Sequence, residues 1–417
     1  MWTKKRIVLI LTLGIFMLQT VFAPTTNAVD TKLKFNIQIH DSKIWNDLKE
    51  QKVKFLAFPP FLKPSGTEVI EINSNFSVVS PSVSQQGFAP LEKVGTRFVT
   101  IGGNCISLFT GGSSCDSLVF FSDKSNQTTF LKLNSASGLD QHDLIAETGN
   151  SFWGMRYSIK SCLENSKLCG GELQPKNVTH FADCEVINFD NKGELKSTWS
   201  ATQHLSSEEV LWEYWKNGIF QNNYADPFHC NSIDLDKKSK KMLISMRHTN
   251  SVYAYDIKTG LVEWKIGGKV TKQISLSPKN INSPISLGGQ HDARWVSQSS
   301  ITLLDNATNT GKPARGLILS IASPHYRVLG VFEDPSQSQS QCTGSFRRFN
   351  LKNQSYFVAG WGCSVNGATL FSSRGKSIVS IYPDGNANSK HFQFDSGPLT
   401  VLNSVLSYRI YPILIRP

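Results

Sequence analysis

Past residue 22 the sequence contains no apolar run approaching the ~20 residues an α-helix needs to cross a bilayer. It has no basic stripe either. Lys and Arg outnumber Asp and Glu by 43 to 32. The charges are interspersed, however, which serves solubility and suits anionic small molecules while arguing against nucleic acid as a partner. No histidines or cysteines recur at metal-ligand spacing on one element, so neither a metal nor another cofactor is expected. Long amphipathic helices are scarce. The best helix candidate is 206–217, with Ser206 as N-cap and Glu209 three residues later.

What is present begins with a leader. Lys4, Lys5 and Arg6 precede an apolar stretch from Ile7 to Phe22 and small residues ending at Thr26-Asn27-Ala28. A basic head, a short apolar middle and a small-residue end predict a signal peptide over 1–28 and a single domain over 29–417. Eight cysteines in an exported chain point to disulfides and a secreted or lumenal location. Cys105–Cys115 and Cys162–Cys169 suit local loops, Cys342 and Cys363 mirror each other about a hairpin turn, and Cys184 and Cys230 are left to pair. Sequons at Asn75, Asn126, Asn177, Asn306 and Asn353 suit a glycoprotein.

The body of the chain is short β-prone runs divided by Gly, Asn, Asp and Ser, which predicts an all-β protein. Four hairpin-like segments follow one plan of strand, polar turn, strand. They start at His142, at His229, at His291 and near Gly344. Repeated antiparallel units, each too small to bury its own faces, predict β-propeller blades with unequal insertions. A large sandwich of similar hairpins is the alternative. Residues 29–100 carry no such histidine hairpin and are expected to supply the first blade and its closure.

Chemistry concentrates between Asp226 and Asn306. Strand alternation puts His229 and Asn231 on one face and Cys230 on the other. A hairpin closing about Lys238 sets Arg247 opposite His229 and turns His248 away. Closure of the next hairpin about Gln298 sets Asp305 opposite His291, where a carboxylate could fix the imidazole tautomer. Asp292 and Arg294 share the other face.

These residues carry a resemblance. Asp226-Pro227-Phe228-His229-Cys230-Asn231-Ser232, Arg247, Tyr255-Asp256-Ile257-Lys258-Thr259-Gly260 with Trp264, and Gln290-His291-Asp292-Ala293-Arg294 together resemble the arylsulfotransferase family, in its secreted branch. The likeness extends from Gln141-His142-Asp143 to Gly360-Trp361-Gly362 and Ser407-Tyr408-Arg409, roughly residues 140–410. It implies a six-bladed propeller that moves a sulfuryl group between phenolic compounds through a sulfohistidine, without a nucleotide donor. It also implies His291 as nucleophile, with His229, Asn231 and Arg247 binding the sulfuryl oxygens and the departing phenol. His142 and Asp305 would line the pocket. Aryl sulfates and phenols would be the partners.

Three other readings compete. Each histidine could be hydrogen-bonded scaffold. His142, His229 and His291 could hold zinc, which Arg247 disfavours. The chain could instead be a non-catalytic secreted propeller that binds a ligand or a protein.

Overall fold

The computed structural model describes residues 87–362, apart from 110–111, 122–127, 135–137, 148–149, 222, 280–284, 335–336, 338 and 352–353. It also describes residues 35–39, 42–51, 53–57, 70–72 and 78–79 before that span, and 364–365, 377–383, 392–396 and 410–413 after it. The expected signal peptide, Cys363, the Ser407-Tyr408-Arg409 match and the sequons at Asn75, Asn126 and Asn353 lie outside the described residues.

The protein is mostly β. Among the described residues there are six sheets of four or more strands and one two-stranded ribbon. Four sheets open on simple antiparallel meanders. The first comprises Gly87–Val94, Arg97–Phe109, Gly112–Phe121 and Thr128–Lys132. The second is built on Asp140–Glu147, Ser151–Ser161, His180–Asp190 and Leu195–Ser200. The third is Cys230–Asp236, Lys241–Met246, Ser251–Asp256 and Val262–Gly267. The fourth is built on His291–Ser297, Ser300–Asp305, Arg315–Ala322 and His325–Glu333. All four expected hairpins form, the last as Ser345–Leu351 with Gln354–Gly360.

Both ends of the chain complete later sheets. Phe35–Ile39 pairs with Phe392–Ser396 in the fifth sheet, and Lys54–Ala57 pairs with Ile410–Ile413 in the sixth. The first strands of sheets one to five adjoin one another in order. That serial, side-by-side arrangement is the propeller plan, not two stacked sheets.

Turn chemistry explains the hairpins. Asp256 accepts the backbone N–H and hydroxyl of Thr259 at 2.8 and 3.0 Å, and Gly260 supplies the positive φ of 72° that closes this turn. The core lies between the sheets. One apolar cluster joins Val99 and Leu118 to Phe152 and Phe189, and a second joins Tyr157 and Val186 to Ile233 and Tyr253. A third links Val252 and Trp264 to Leu303 and Leu317. A central strand such as Lys241–Met246 is therefore buried on both faces.

The helix expected over 206–217 does not form. Ser207–Glu209 is one 3-10 turn, Lys216–Ile219 is a single helical turn, and Ser206 makes no side-chain cap. Glu209 is fully buried instead, accepting from Lys265 Nζ at 2.5 Å and Tyr253 Oη at 2.9 Å. Tertiary pairing of that carboxylate overrides the local cap signal.

An ionic layer ties the first strands together. The Arg294 guanidinium donates to Asp143 at 2.7 Å, to Asp292 at 2.7 Å and to the Ile233 carbonyl at 2.7 Å. Arg347 joins Asp292 at 2.9 Å from the fifth sheet. The first strands of sheets two to five are thus tied together, in sheets two to four immediately beside His142, His229 and His291. Glu92, on the first sheet, faces this layer; burial raises its carboxyl to about 7, against the pull of Arg347 and Arg294.

Candidate active site

His142, His229 and His291 all lie at the starts of first strands, so the sheets deliver them to the same end of the assembly. The rings of His142 and His229 meet edge to face at 5.6 Å between centroids. Arg247 stands opposite His229 as the hairpin register requires, its N–H donating to the His229 carbonyl at 2.9 Å.

Simple strand alternation fails at three places, two of them in the His229 hairpin. His229 precedes the strand in a left-handed conformation, φ 48°. The strand from Lys241 ends at Met246, and Arg247–Thr249 forms a 3-10 turn that swings His248 into the cluster. His248 lies 4.7 Å from His229 between ring centroids and accepts from Arg247 Nη1 at 3.3 Å. Parity excluded it because parity assumes the strand continues.

Asp305 also departs from expectation. Register shifts place Leu304, not Asp305, across from His291. The change coincides with Asp292 in the left-handed region at φ 55°, which inserts an irregularity after His291. Asp305 turns to Arg315 at 2.9 Å and to the backbone N–H groups of Gly288 and Ala307. Asn306 takes its expected place, its Oδ1 2.8 Å from His291 Nδ1. Asn231 is wholly buried and donates to the Gln290 carbonyl at 2.8 Å, bracing the chain just before His291. Cys184–Cys230, Cys105–Cys115 and Cys162–Cys169 are disulfides as expected, the first tying the start of the histidine hairpin to the second sheet. Cys342 is itself disulfide-bonded.

All four imidazoles are held by Nδ1. His142 Nδ1 meets Asp140, His229 Nδ1 meets Asp226 Oδ2 at 2.5 Å, and His248 Nδ1 meets the Asp226 carbonyl at 2.6 Å. His291 Nδ1 meets the Gly289 carbonyl at 2.8 Å as well as Asn306. Gly289 has φ 67°, and an added Cβ would stand 3.0 Å from the Trp215 ring. The clamp at Nδ1 turns Nε2 of each ring away from its anchor, and His248 Nε2 is taken by Arg247 Nη1 at 3.3 Å.

The clamps fall into two kinds. His142 and His229 have carboxylate partners, which stabilise an imidazolium and suit proton transfer. His248 and His291 have neutral acceptors and stay unprotonated. Burial, and next the Arg247 charge, hold His291 well below the usual histidine range. Burial also lowers His248 strongly, with His229 and Arg247 adding. His229 is lowered by burial, with Asp226 pulling it back up.

Arg247 is the cation of the site. Its guanidinium lies 4.1 Å over the Trp215 ring and donates to the Gln341 carbonyl at 2.8 Å. Its buried Nε has no hydrogen-bond partner within the protein. Burial lowers its pKa to about 10, so it stays charged near neutral pH. Asp226, His229 and His248 bring potential metal-ligand atoms within 4.8 Å of one another. The adjacent guanidinium opposes a dication there, and both Nδ1 atoms are committed to Asp226.

Sequence reasoning missed Asp140, Asp226, His248 and Asn306 as site groups. A signal existed for the first two, because an Asp two or three residues ahead of a histidine can turn back onto its ring. The Asn306 sequon is incompatible with a glycan, since the side chain is fully buried and Nδ2 donates to Ser340 Oγ at 2.8 Å and the Thr343 carbonyl at 2.7 Å. Asn177 lies exposed on a turn. Peptide mass spectrometry of protein from a glycosylating host should find Asn177 modified and Asn306 bare.

The model of the arylsulfotransferase (ASST) family matches residues 110–348, more than half of the chain. Comparison with curated proteins found no match. Among solved structures, a protein from Lactobacillus plantarum aligns at 10% identity and TM-score 0.44, over 87% of this chain and 99% of its own. The periplasmic gluconolactonase of Pseudomonas aeruginosa aligns at 9% identity and TM-score 0.40, over 87% and 99%. No helix among the described residues is long and apolar enough to cross a membrane.

Proposed function

We propose that this chain, which belongs to the arylsulfotransferase family, is a secreted six-bladed propeller that transfers a sulfuryl group from an aryl sulfate to a phenol by way of His291. The observation that carries this reading is the neutral clamp on His291 Nδ1, which leaves Nε2 as an unprotonated nucleophile beside a buried guanidinium.

In the first half-reaction the Nε2 lone pair attacks sulfur and the sulfur–aryl oxygen bond breaks. The electron pair leaves with the phenol oxygen, which takes a proton from His229. Asp226 stabilises the imidazolium that supplies it, and the arriving sulfate charge favours that protonated form. In the second half, the acceptor phenol returns a proton to the same histidine and its oxygen attacks sulfur. The N–S bond then breaks and restores His291. A phenol leaves with a pKa of about 10, so its protonation lowers the barrier substantially. Arg247 is assigned to the sulfuryl oxygens, His142 to the pocket as a further proton-transfer group, and Asn231 to holding Gln290 and His291 in place.

The test is incubation with a chromogenic aryl sulfate and a phenol. Phenol-dependent release together with acid-labile sulfate on His291 supports the proposal. Binding of the aryl sulfate without turnover would sink it in favour of a ligand-binding propeller.

A pH dependence follows. His291 must be neutral and its folded pKa lies well below the ordinary histidine value, whereas His229, also lowered by burial, must be protonated to act as the acid, so kcat/KM should rise as pH falls from 7.5 toward about 6.5. Loss should begin only as pH falls through the depressed His291 value. Stability follows the depressed values of His291 and His248. Below about pH 6.5 the unfolded chain takes up protons that these buried rings refuse, so folding weakens as pH falls. Glu92, raised to about 7, acts with the opposite sign over this range, so the histidine contribution is read in Glu92→Gln, whose urea midpoint should be lower at about pH 5 than at about pH 7.5.

A further inference from the structure

We infer that Asn306 is the positioning residue that fixes the tautomer of His291, presenting Nε2 as the reacting atom; the inference rests on the sulfuryl-transfer reading only for its catalytic consequence.

The argument is a closed hydrogen-bond inventory. Ser340 Oγ donates its single proton to the Cys342 carbonyl at 2.9 Å, so toward Asn306 it can only accept. The Thr343 carbonyl can only accept. Both lie at hydrogen-bond distance from Asn306 Nδ2, at 2.8 and 2.7 Å, which uses both amide hydrogens. The amide cannot be turned over, so Oδ1 must face His291. His291 Nδ1 therefore sees two acceptors, Asn306 Oδ1 and the Gly289 carbonyl, and must carry the proton. Its other nitrogen then bears the lone pair.

The choice of an amide is as informative as its position. A carboxylate at the same place would stabilise the imidazolium and occupy Nε2 with a proton near neutral pH. It would also draw the Nδ1 proton from the sulfated ring and make that ring a poorer leaving group. The neutral amide orients without adding basicity, in contrast with Asp226 at His229. Local backbone supports the aim. Ala307 and Thr343 hold φ of 52° and 57°, and the Thr308 hydroxyl donates to the Ser340 carbonyl at 2.7 Å. The segment that receives Asn306 also receives Arg247 at Gln341, so one strap positions both groups.

Nitrogen-15 NMR of protein labelled at histidine tests this without turnover, with the His291 signals assigned by their loss in His291→Gln. The expected result is a neutral ring protonated at Nδ1 at pH 7. A ring protonated at Nε2 would overturn the inference. In Asn306→Asp the His291 titration and the acid limb of kcat/KM should both move up by about one pH unit or more, roughly a tenfold loss on the acid side. An unchanged titration would also overturn it. If Asn306→Asp does not fold, the wild-type tautomer decides alone. Wild-type protein with the Nδ1–H tautomer and no sulfuryl transfer would sink the functional reading and leave this one standing.

Discussion

His291→Ala should reduce phenol-dependent sulfuryl transfer by on the order of 10³-fold or more, with no acid-labile sulfate recovered on the protein. The size follows from the division of labour among the four rings. His142 and His229 are tied to carboxylates and suited to carrying protons. His248 Nε2 accepts from Arg247. Of the three rings other than His248, His291 alone is clamped at Nδ1 by neutral acceptors, the Gly289 carbonyl and Asn306 Oδ1, and its pKa is held well below the usual histidine range. Water replacing the imidazole would have to attack sulfur directly, in an arrangement built for a fixed nucleophile. Aryl sulfate binding should persist in His291→Ala, because Arg247 is held by Trp215, Gln341 and His248 and not by His291. Isothermal titration with a slowly reacting aryl sulfate separates the two effects. Transfer at the wild-type rate in His291→Ala would end the sulfohistidine mechanism, whatever the binding result.

The hairpins were legible because alternation and turn residues are local signals. His229 and Arg247 are placed together for that reason, the family resemblance adds His142 and His291, and all four lie at one end of the sheets. What escaped was irregularity. A left-handed residue at His229 and another at Asp292, and a 3-10 turn at Arg247–Thr249, each break the two-residue period on which facing was argued. Those breaks decide that His248 enters the site and that Asn306 replaces Asp305. Backbone strain of this kind gathers where function needs a side chain in an unusual direction. It leaves little trace in a single sequence, since Asp, His and Thr at such positions look ordinary. The buried Glu209 illustrates a different failure. A capping pattern is cheap to satisfy by chance, and a long-range pairing with Lys265 outweighs it.

Arg247→Met should lower kcat/KM by roughly 10²–10³-fold, the range expected when a preorganised donor to a developing anion is lost. Three contacts fix the guanidinium before substrate arrives: the Trp215 face, the Gln341 carbonyl and His248 Nε2. Its Nε is buried without a hydrogen-bond partner within the protein, and in the proposed mechanism it is a donor left for the substrate. A sulfuryl group carries oxygens of the right kind, and a planar fork can meet two of them at once. Arg247→Lys should recover little, because a single ammonium cannot satisfy Gln341 and a sulfuryl oxygen while covering Trp215. Stability should respond differently. Removing a buried cation relieves desolvation, and leaving Gln341 and His248 without their donor costs a similar amount, so unfolding free energy should change by only about 1–2 kcal/mol. A large loss of transfer with a nearly unchanged urea midpoint would identify Arg247 as a group maintained for the reaction. Parallel collapse of both would reduce it to a structural brace between the third sheet and the Gln341 strap.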